Sequence, residues 1–305
     1  MNVFVTGATG VIGRRVVPLL TAAGHAVTAV ARSPEKRAVL ERVGAAALDV
    51  DLFAPAAVRA AVAGHDVVVN LATRIPPSNR AFLTRAWREN DRLRREASAT
   101  LADAARAAGA ERFVQESFAP IYPDRGEAWI DEAMLPAPAP HSRTSLDAEA
   151  SAVRFSAGGG AGVVLRFGFF YGPDGAFARD TIQAVRRGLA PTLGRADDFV
   201  PSIHHDDAAS AVVAALGLPA GIYNVVDDEP MRRRAFFDAL AEALGVGPPR
   251  LLPAWLVPFT GSVGKTLARS LRISNGKLRQ ASGWAPRYPS AREGWRAAVQ
   301  EQARG

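Results

Sequence analysis

Along the first 170 positions, short runs of β-branched and other apolar residues alternate with longer alanine-rich stretches of helical period. The runs predict strands at about 2–6, 26–31, 46–48, 66–71, 112–116 and 162–167. Helical spacing fills the intervals near 11–23, 35–43, 55–63, 79–108 and 144–156, and Gly24, Gly44, Gly64 and Gly109 stand where helices end. Strands that alternate with helices in this way stack as βαβ units into a doubly wound parallel sheet, an α/β fold of Rossmann type. Pro136-Ala137-Pro138-Ala139-Pro140 must be a loop, because successive prolines remove donors and hold the backbone extended. After Tyr171-Gly172-Pro173 the rhythm fails, and helix, loop and an isolated strand from Ile222 to Val226 follow. The expected division is a main unit over 1–167, to which about 200–226 return, and a smaller C-terminal lobe from 168–199 and 227–305.

Composition narrows the chemistry. The 305 residues contain no cysteine, which removes disulfides, thiolate metal sites and a cysteine nucleophile together. The net charge of +7 is carried almost wholly by arginine, with lysine only at Lys36, Lys265 and Lys277. Arginines such as Arg85, Arg88, Arg92 and Arg95 are scattered along helices without interleaved aromatics, so no nucleic-acid partner is expected. The opening residues enter a strand and lack a basic n-region, and no apolar run reaches membrane-spanning length, so a cytoplasmic protein without a membrane partner is expected. Gly264-Lys265-Thr266 resembles the end of a phosphate loop, but the first glycine of that motif would fall on Phe259.

The richest motif is Gly7-Ala8-Thr9-Gly10-Val11-Ile12-Gly13, directly after the first strand and opening an amphipathic helix. Gly7 permits the tight turn, Gly10 removes a side chain where a pyrophosphate approaches the backbone, and Gly13 lets helix and sheet pack closely. The free amides and positive end of the helix then favour the anion. The second strand ends at Arg32, where NAD sites place an acidic residue for the ribose 2′-hydroxyl. A guanidinium there favours a 2′-phosphate, with Arg14 and Lys36 or Arg37 nearby, so NADP(H) is the expected cofactor. Asp49 and Val50 end the third strand near the adenine, and Leu71, Ala72 and Thr73 end the fourth beside the nicotinamide ribose. The expected cofactor set is therefore Gly7, Thr9, Gly10, Val11, Ile12, Gly13, Arg14, Arg32, Asp49, Val50, Leu71, Ala72 and Thr73.

With these residues the chain resembles the extended short-chain dehydrogenase/reductase family of NAD(P)-dependent epimerases, dehydratases and reductases. Asn70-Leu71-Ala72, Arg112-Phe113-Val114, Arg166 to Pro173, His204 to Ala209, Tyr223 to Asp228 and Gly283 to Pro289 carry the likeness over nearly the whole chain. The resemblance implies a serine or threonine after the fifth strand and a Tyr-x-x-x-Lys pair on the next helix, the lysine lowering the tyrosine pKa. Anchoring on Ile121-Tyr122-Pro123 and on Ala148-Glu149 puts Phe118, His141 and Ser145 at those three positions. No lysine occurs between Lys36 and Lys265, so the usual proton relay is absent.

Four residues are candidates to replace it. An imidazole of ordinary pKa at His141 would exchange a proton near neutrality, Ser117 is one step from the serine position, and Tyr122 and Tyr171 are expected near the substrate side of the nicotinamide. His204-His205-Asp206-Asp207 invites a metal, but adjacent histidines on an extended strand point apart, and an aspartate there reads as a helix cap. No metal is expected. Phe118, Phe169, Phe170, Phe177, Trp255 and Phe259 suit an apolar or aromatic small-molecule substrate. The leading expectation is an NADP(H)-dependent oxidoreductase with a non-standard proton donor, acting as a monomer or homodimer. A cyclase, dehydratase or isomerase on the same fold, or a non-enzymatic NADP(H) sensor, are the alternatives.

Overall fold

The computed structural model describes residues 1–304. Its first half runs β1 (Asn2–Thr6), α1 (Gly13–Ala22), β2 (Ala26–Val30), α2 (Pro34–Arg42), β3 (Ala46–Leu48), α3 (Pro55–Val62) and β4 (Val67–Asn70). Then follow α4 (Arg88–Arg92), α5 (Ser98–Ala107), β5 (Arg112–Phe118), α6 (Ser145–Ala157) and β6 (Ala161–Phe167). The remainder contains β7 (Phe169–Tyr171), α7 (Ala176–Arg186), β8 (Ser202–His204), α8 (His205–Ala214), β9 (Gly221–Val225), α9 (Arg233–Leu244), α10 (Gly261–Leu267), α11 (Gly276–Ser282) and α12 (Ala291–Arg304).

Seven strands form one parallel sheet in the order β9-β6-β5-β4-β1-β2-β3. Side chains alternate across it, so Val3 and Val5 meet Val16, Val17 and Leu20 of α1 and Val212 of α8 on one face. Phe4 and Val68 meet Val58, Leu101 and Phe155 from α3, α5 and α6 on the other. Both faces are covered, which is why these strands read as continuous apolar runs. The strand order reverses between β1 and β4, opening a crevice at their carboxyl ends where ligands of doubly wound sheets bind.

One expected element differs. The helix expected over 79–108 becomes regular only at Arg88, after a single 3-10 turn at Thr84–Trp87. Pro76 and Pro77 keep the preceding chain extended, and the Trp87 indole donates to the Ala81 carbonyl at 2.7 Å, folding the segment back on itself. Between α4 and α5 the helix widens into a π turn at Leu93–Ala97.

Beyond β6 the chain leaves the main sheet and returns to it once. β7 pairs in parallel with β8, and β9 joins the main sheet beside β6. Ile182, Val185, Phe236, Leu240 and Trp295 from α7, α9 and α12 form a separate core with Tyr171.

A buried polar framework ties α6 and the loop that carries Tyr122 to strands β5, β6 and β9 on one side of the sheet. Arg166 on β6 makes two parallel bonds to Glu149 on α6, at 2.8 and 2.7 Å, and donates to the Tyr122 hydroxyl at 2.7 Å. Tyr122 donates onward to Asn224 of β9 at 2.9 Å, and Ser117 donates to Glu149 at 2.6 Å. Burial alone would lower the Arg166 guanidinium, but Glu149 and Tyr122 outweigh it and raise its pKa. Removing one partner of such a pair strands the other charge in the interior. Arg166→Met should therefore cost about 3–5 kcal/mol of unfolding free energy, measured by urea denaturation.

Candidate cofactor and substrate site

The glycine turn owes its shape to contact as much as to flexibility. Gly7 has φ +67°, and a Cβ there would lie 2.3 Å from the Leu71 carbonyl oxygen at the end of β4. A Cβ on Gly13 would stand 2.2 Å from the Gly7 carbonyl. Gly10 meets only that carbonyl, at 3.1 Å, and its other side is exposed. The turn closes through Gly10 N to Gly7 O and Arg14 N to Gly10 O. Arg14, Arg15 and Val16 bond back to Gly10 and Ile12, whereas the amides of Val11, Ile12 and Gly13 just ahead of them find no acceptor in the chain, as befits a helix start. A dinucleotide fits this cradle.

Polar bonds fix the neighbouring strand ends. Thr6 donates to Asn70 at 2.6 Å, and Asn70 donates to Gln115 and Ser98 at 2.9 and 3.1 Å. The Ala72 amide returns to Asn70 Oδ1 at 3.2 Å, which sets the course of Leu71, Ala72 and Thr73 past the crevice. Arg32 is exposed just after β2, beside the Ser33 cap of α2. Arg37 turns instead to Asp49, at 3.6 Å, and Val50 is packed into the core. Arg14 pairs with Asp174.

Asp174 draws charged side chains together beside the turn. It receives Arg15 at 3.0 Å and faces His205 at 3.3 Å, while Arg15 also donates to Asp206 at 2.7 Å. Burial opposes ionisation of Asp174, but bonds from His205, Arg15 and Arg14 prevail and hold it well below the usual carboxylate range. The following Gly175 sits over Val11, and α7 begins there. The cap of α8 is not the expected aspartate: His204 Nδ1 accepts the Asp206 amide at 3.2 Å. Asp207 points the other way and accepts the amides of Arg287 and Tyr288 at 2.7 and 3.1 Å, a better use of a buried carboxylate because it satisfies two loop donors. Among the described residues no group of three or more acidic or histidine side chains is placed to hold a metal.

The three relay positions have a uniform character. Phe118 packs edge-on against Phe169, ring centres 5.7 Å apart. His141 is 5% exposed, lies 4.9 Å from the Trp87 ring, and its Nδ1 is 3.1 Å from the Ser262 hydroxyl. Burial, then the charges of Arg94 and Arg269, push its pKa down to about 4, so it is neutral at pH 7. Ser145 is fully buried, with no hydrogen-bond partner for its hydroxyl. The other candidates are committed elsewhere. Ser117 and Tyr122 belong to the Arg166–Glu149 framework. Tyr171 lies under α12, 5.0 Å from the Trp295 ring, and its hydroxyl reaches the Ser290 carbonyl at 3.3 Å. Burial raises the pKa of both tyrosines.

One feature of the site had no signal in the sequence. Arg94 is 3% exposed and pairs with Glu116 of β5 at 3.2 Å. Its place among Arg92 and Arg95 suggests a solvated helix face, but the π turn shifts the register and carries it inward. Arg94 Nε, Glu116 Oε2, Asn90 Nδ2 and Ser145 Oγ are all buried polar atoms without partners.

The family model described as NAD(P)H-binding matches residues 7–160. A 3-diazoavenalumate denitrifying reductase of a Streptomyces species is 37% identical, the match covering 96% of this chain and 99% of that protein. A 2-alkyl-3-oxoalkanoate reductase of Shewanella oneidensis is 27% identical over 88% of this chain and 73% of its own length. A human epimerase family protein with NADPH superposes at TM-score 0.78, with 23% identity, covering 98% and 99% of the two chains. The UDP-glucose 4-epimerase of Thermus thermophilus in complex with NAD gives 0.79, with 26% identity, covering 100% of this chain and 99% of the other. The chain belongs to the extended short-chain dehydrogenase/reductase family. It is an NAD(P)H-binding oxidoreductase of the type whose named relatives are reductases of small metabolites. Among the described residues no helix is long and apolar enough to cross a membrane.

Within this oxidoreductase, His141 makes stability depend on pH. The unfolded imidazole takes a proton near its ordinary value of 6.5, whereas the folded one resists until about 4, so stability present at neutral pH falls as pH drops through that interval. His204 adds to the trend, being also pushed down to about 4, chiefly by burial. Asp207, raised to about 6 by burial, works against it. The difference in unfolding free energy between pH 7 and pH 5 should be about 2 kcal/mol smaller in His141→Asn than in wild type, as read from urea curves.

Proposed function

We propose that this oxidoreductase uses NADPH to remove a diazo group reductively from an aromatic acid. The observation that carries the reading is the absence of a proton donor at all three relay positions: Phe118 has none, His141 is neutral and buried, and Ser145 lacks a base. Ketone reduction needs a proton as well as a hydride. Reduction of an aryl diazonium does not: a carbon–hydrogen bond forms with the hydride, the carbon–nitrogen bond breaks, and its electron pair leaves with dinitrogen. Charge and atoms balance without acid catalysis. The denitrifying reductase named above, 37% identical over nearly the whole chain, supports this over carbonyl reduction.

Bound NADPH supplies the hydride. The chain holds it with the turn Gly7 to Gly13, with Leu71 to Thr73 beside the nicotinamide end, and with Arg32 and Lys36 toward the 2′-phosphate. Residues 168–199 and 227–305 act as the substrate lobe. Phe118 and Phe169 form the wall that orients an aromatic ring and keeps water from the electrophile. Phe177, Phe236 and Trp295 continue that wall into the lobe.

Two measurements test the proposal. With an aryl diazonium acid and NADPH deuterated on the transferred position, dinitrogen release should match NADPH consumed and deuterium should appear on the ring carbon. Turnover confined to ketones, or ring hydrogen drawn from solvent, would sink it. Arg32→Asp should weaken NADPH binding by about 10–100-fold, the loss of one charge-assisted contact of about 1.5–3 kcal/mol, while leaving NADH little changed.

A further inference from the structure

Two short segments expose apolar side chains that the fold leaves uncovered. Ala254-Trp255-Leu256-Val257-Pro258-Phe259 is apolar throughout and forms a 3-10 segment in which no residue is buried. Trp255 and Phe259, expected from the sequence to line the substrate site, are 68% and 81% exposed, and Leu252 is exposed just ahead of them. The chain between β4 and α4 exposes Ile75, Phe82 and Leu83. Both segments adjoin one buried contact. Trp87, which donates to the Ala81 carbonyl at 2.7 Å, packs on His141 with ring centres 4.9 Å apart, and His141 Nδ1 is 3.1 Å from the Ser262 hydroxyl at the start of α10. Single apolar residues at a surface are ordinary, but a continuous apolar run left uncovered marks a contact surface.

The charge around these segments is one-sided. No Asp or Glu occurs between Asp66 and Glu89, or between Glu242 and Glu293, the spans that contain them. Arg80, Arg85 and Arg88 are exposed in the first span, and Arg250 and Lys265 in the second. Of the nearest acids, Glu89 is paired with Arg74 at 3.5 Å, and Asp180 accepts the Ser78 hydroxyl at 2.7 Å. Exposed Trp, Phe and Leu flanked by Arg and Lys have the composition of a segment that lies in the interface of an anionic bilayer: the apolar side chains enter the headgroup boundary while the cations meet lipid phosphates. Such contact requires no membrane-spanning run.

Shape favours a bilayer over a protein partner. Arg250–Leu251 pairs in parallel with Leu189–Ala190, the Thr260 hydroxyl donates to the Val257 carbonyl at 2.7 Å, and Ser262 meets His141, so the exposed run is a held knob rather than a free flap. Pro253 and Pro258 lack the backbone donors that strand addition by another chain would use. A protruding turn inserts among lipid headgroups, whereas a partner helix seeks a groove. We propose that Trp255 and Phe259, with Phe82 and Leu83, dock the protein on the surface of an anionic lipid bilayer, where Arg80, Arg85, Arg88, Arg250 and Lys265 hold it by charge. The docking is independent of the denitrifying reaction.

The test sediments the full chain with vesicles of phosphatidylcholine containing phosphatidylglycerol, and with phosphatidylcholine alone, at low and high salt. At low salt, wild type should partition at least about tenfold more strongly onto the anionic vesicles than onto the neutral ones, and high salt should release it. Trp255→Ser/Phe259→Ser and Arg80→Glu/Arg85→Glu, each checked for folding by thermal melting, should each lose at least about tenfold in partitioning. Val39→Ser, which removes an exposed apolar side chain from α2, should pellet as wild type does. Lipids brominated in the acyl chain should quench wild-type tryptophan fluorescence, and Trp255→Phe should abolish that quenching while still pelleting. The proposal is overturned if wild type stays in the supernatant with anionic vesicles, if the folded double variants pellet like wild type, or if the quenching survives in Trp255→Phe. Concentration-dependent dimerisation that is lost in Trp255→Ser/Phe259→Ser, without vesicle binding by wild type, would assign the knob to a second copy and overturn it as well. Should one double variant fail to fold, the other decides.

Discussion

The close approach of the β1–α1 turn to the end of β4 is the constraint on which the rest of the structure depends. Two backbones meet where Gly7 faces Leu71, and a helix meets its own turn where Gly13 faces Gly7. No side chain can be inserted at either contact without moving a strand or a helix. That contact points the start of α1 across the crevice where strand order reverses, so the anion-binding end of the helix and the ligand-binding edge of the sheet coincide. The Thr6–Asn70–Gln115 bonds then hold three strand ends level beneath it.

A second layer of the design is electrostatic. Between β5, α6, β6 and β9, Ser117, Tyr122, Glu149 and Arg166 satisfy one another and work as a rigid frame rather than as acids and bases. Nearer the crevice satisfaction is incomplete, and Asn90, Arg94, Glu116 and Ser145 keep buried polar atoms unpaired. Unpaired buried groups are costly, which sets these atoms apart from the satisfied frame beside them. Elsewhere, Asp174 draws Arg14, Arg15 and His205 to the loop that starts α7. The helix that bears Phe177 is thereby anchored on the helix that opens the cofactor turn.

Replacing the proton relay changes the kind of chemistry available rather than the fold that surrounds it. Phe118 ends strand β5, His141 sits on the short turn Pro140–Ser142 ahead of helix α6, and Ser145 begins that helix, while the Arg166–Glu149 pair that ties α6 to β6 uses none of their side chains. Fold and reaction can therefore vary independently in this family. A neutral, water-poor, aromatic wall suits transfer of a hydride to a group that leaves without help.

The chain's local patterns determined the sheet, its winding, the glycine turn and the loss of Tyr-x-x-x-Lys, because each depends on residues close together in sequence: alternation within a strand, glycine spacing, or two residues on one helical turn. The strand expected at 112–116 runs on to Phe118, and the helix expected from 79 starts at Arg88, because Pro76 and Pro77 just before it and the Trp87–Ala81 bond hold the intervening segment out of helix. Only the tertiary structure decided the use of Ser117, Tyr122 and Tyr171, which carry plausible chemistry in sequence but spend their hydroxyls on partners 32, 102 and 119 residues away. It also decided that Arg94 is buried and that His204, not an aspartate, caps α8. Burial and hydrogen-bond partnership are properties of what the chain brings alongside a residue, and no local pattern encodes them.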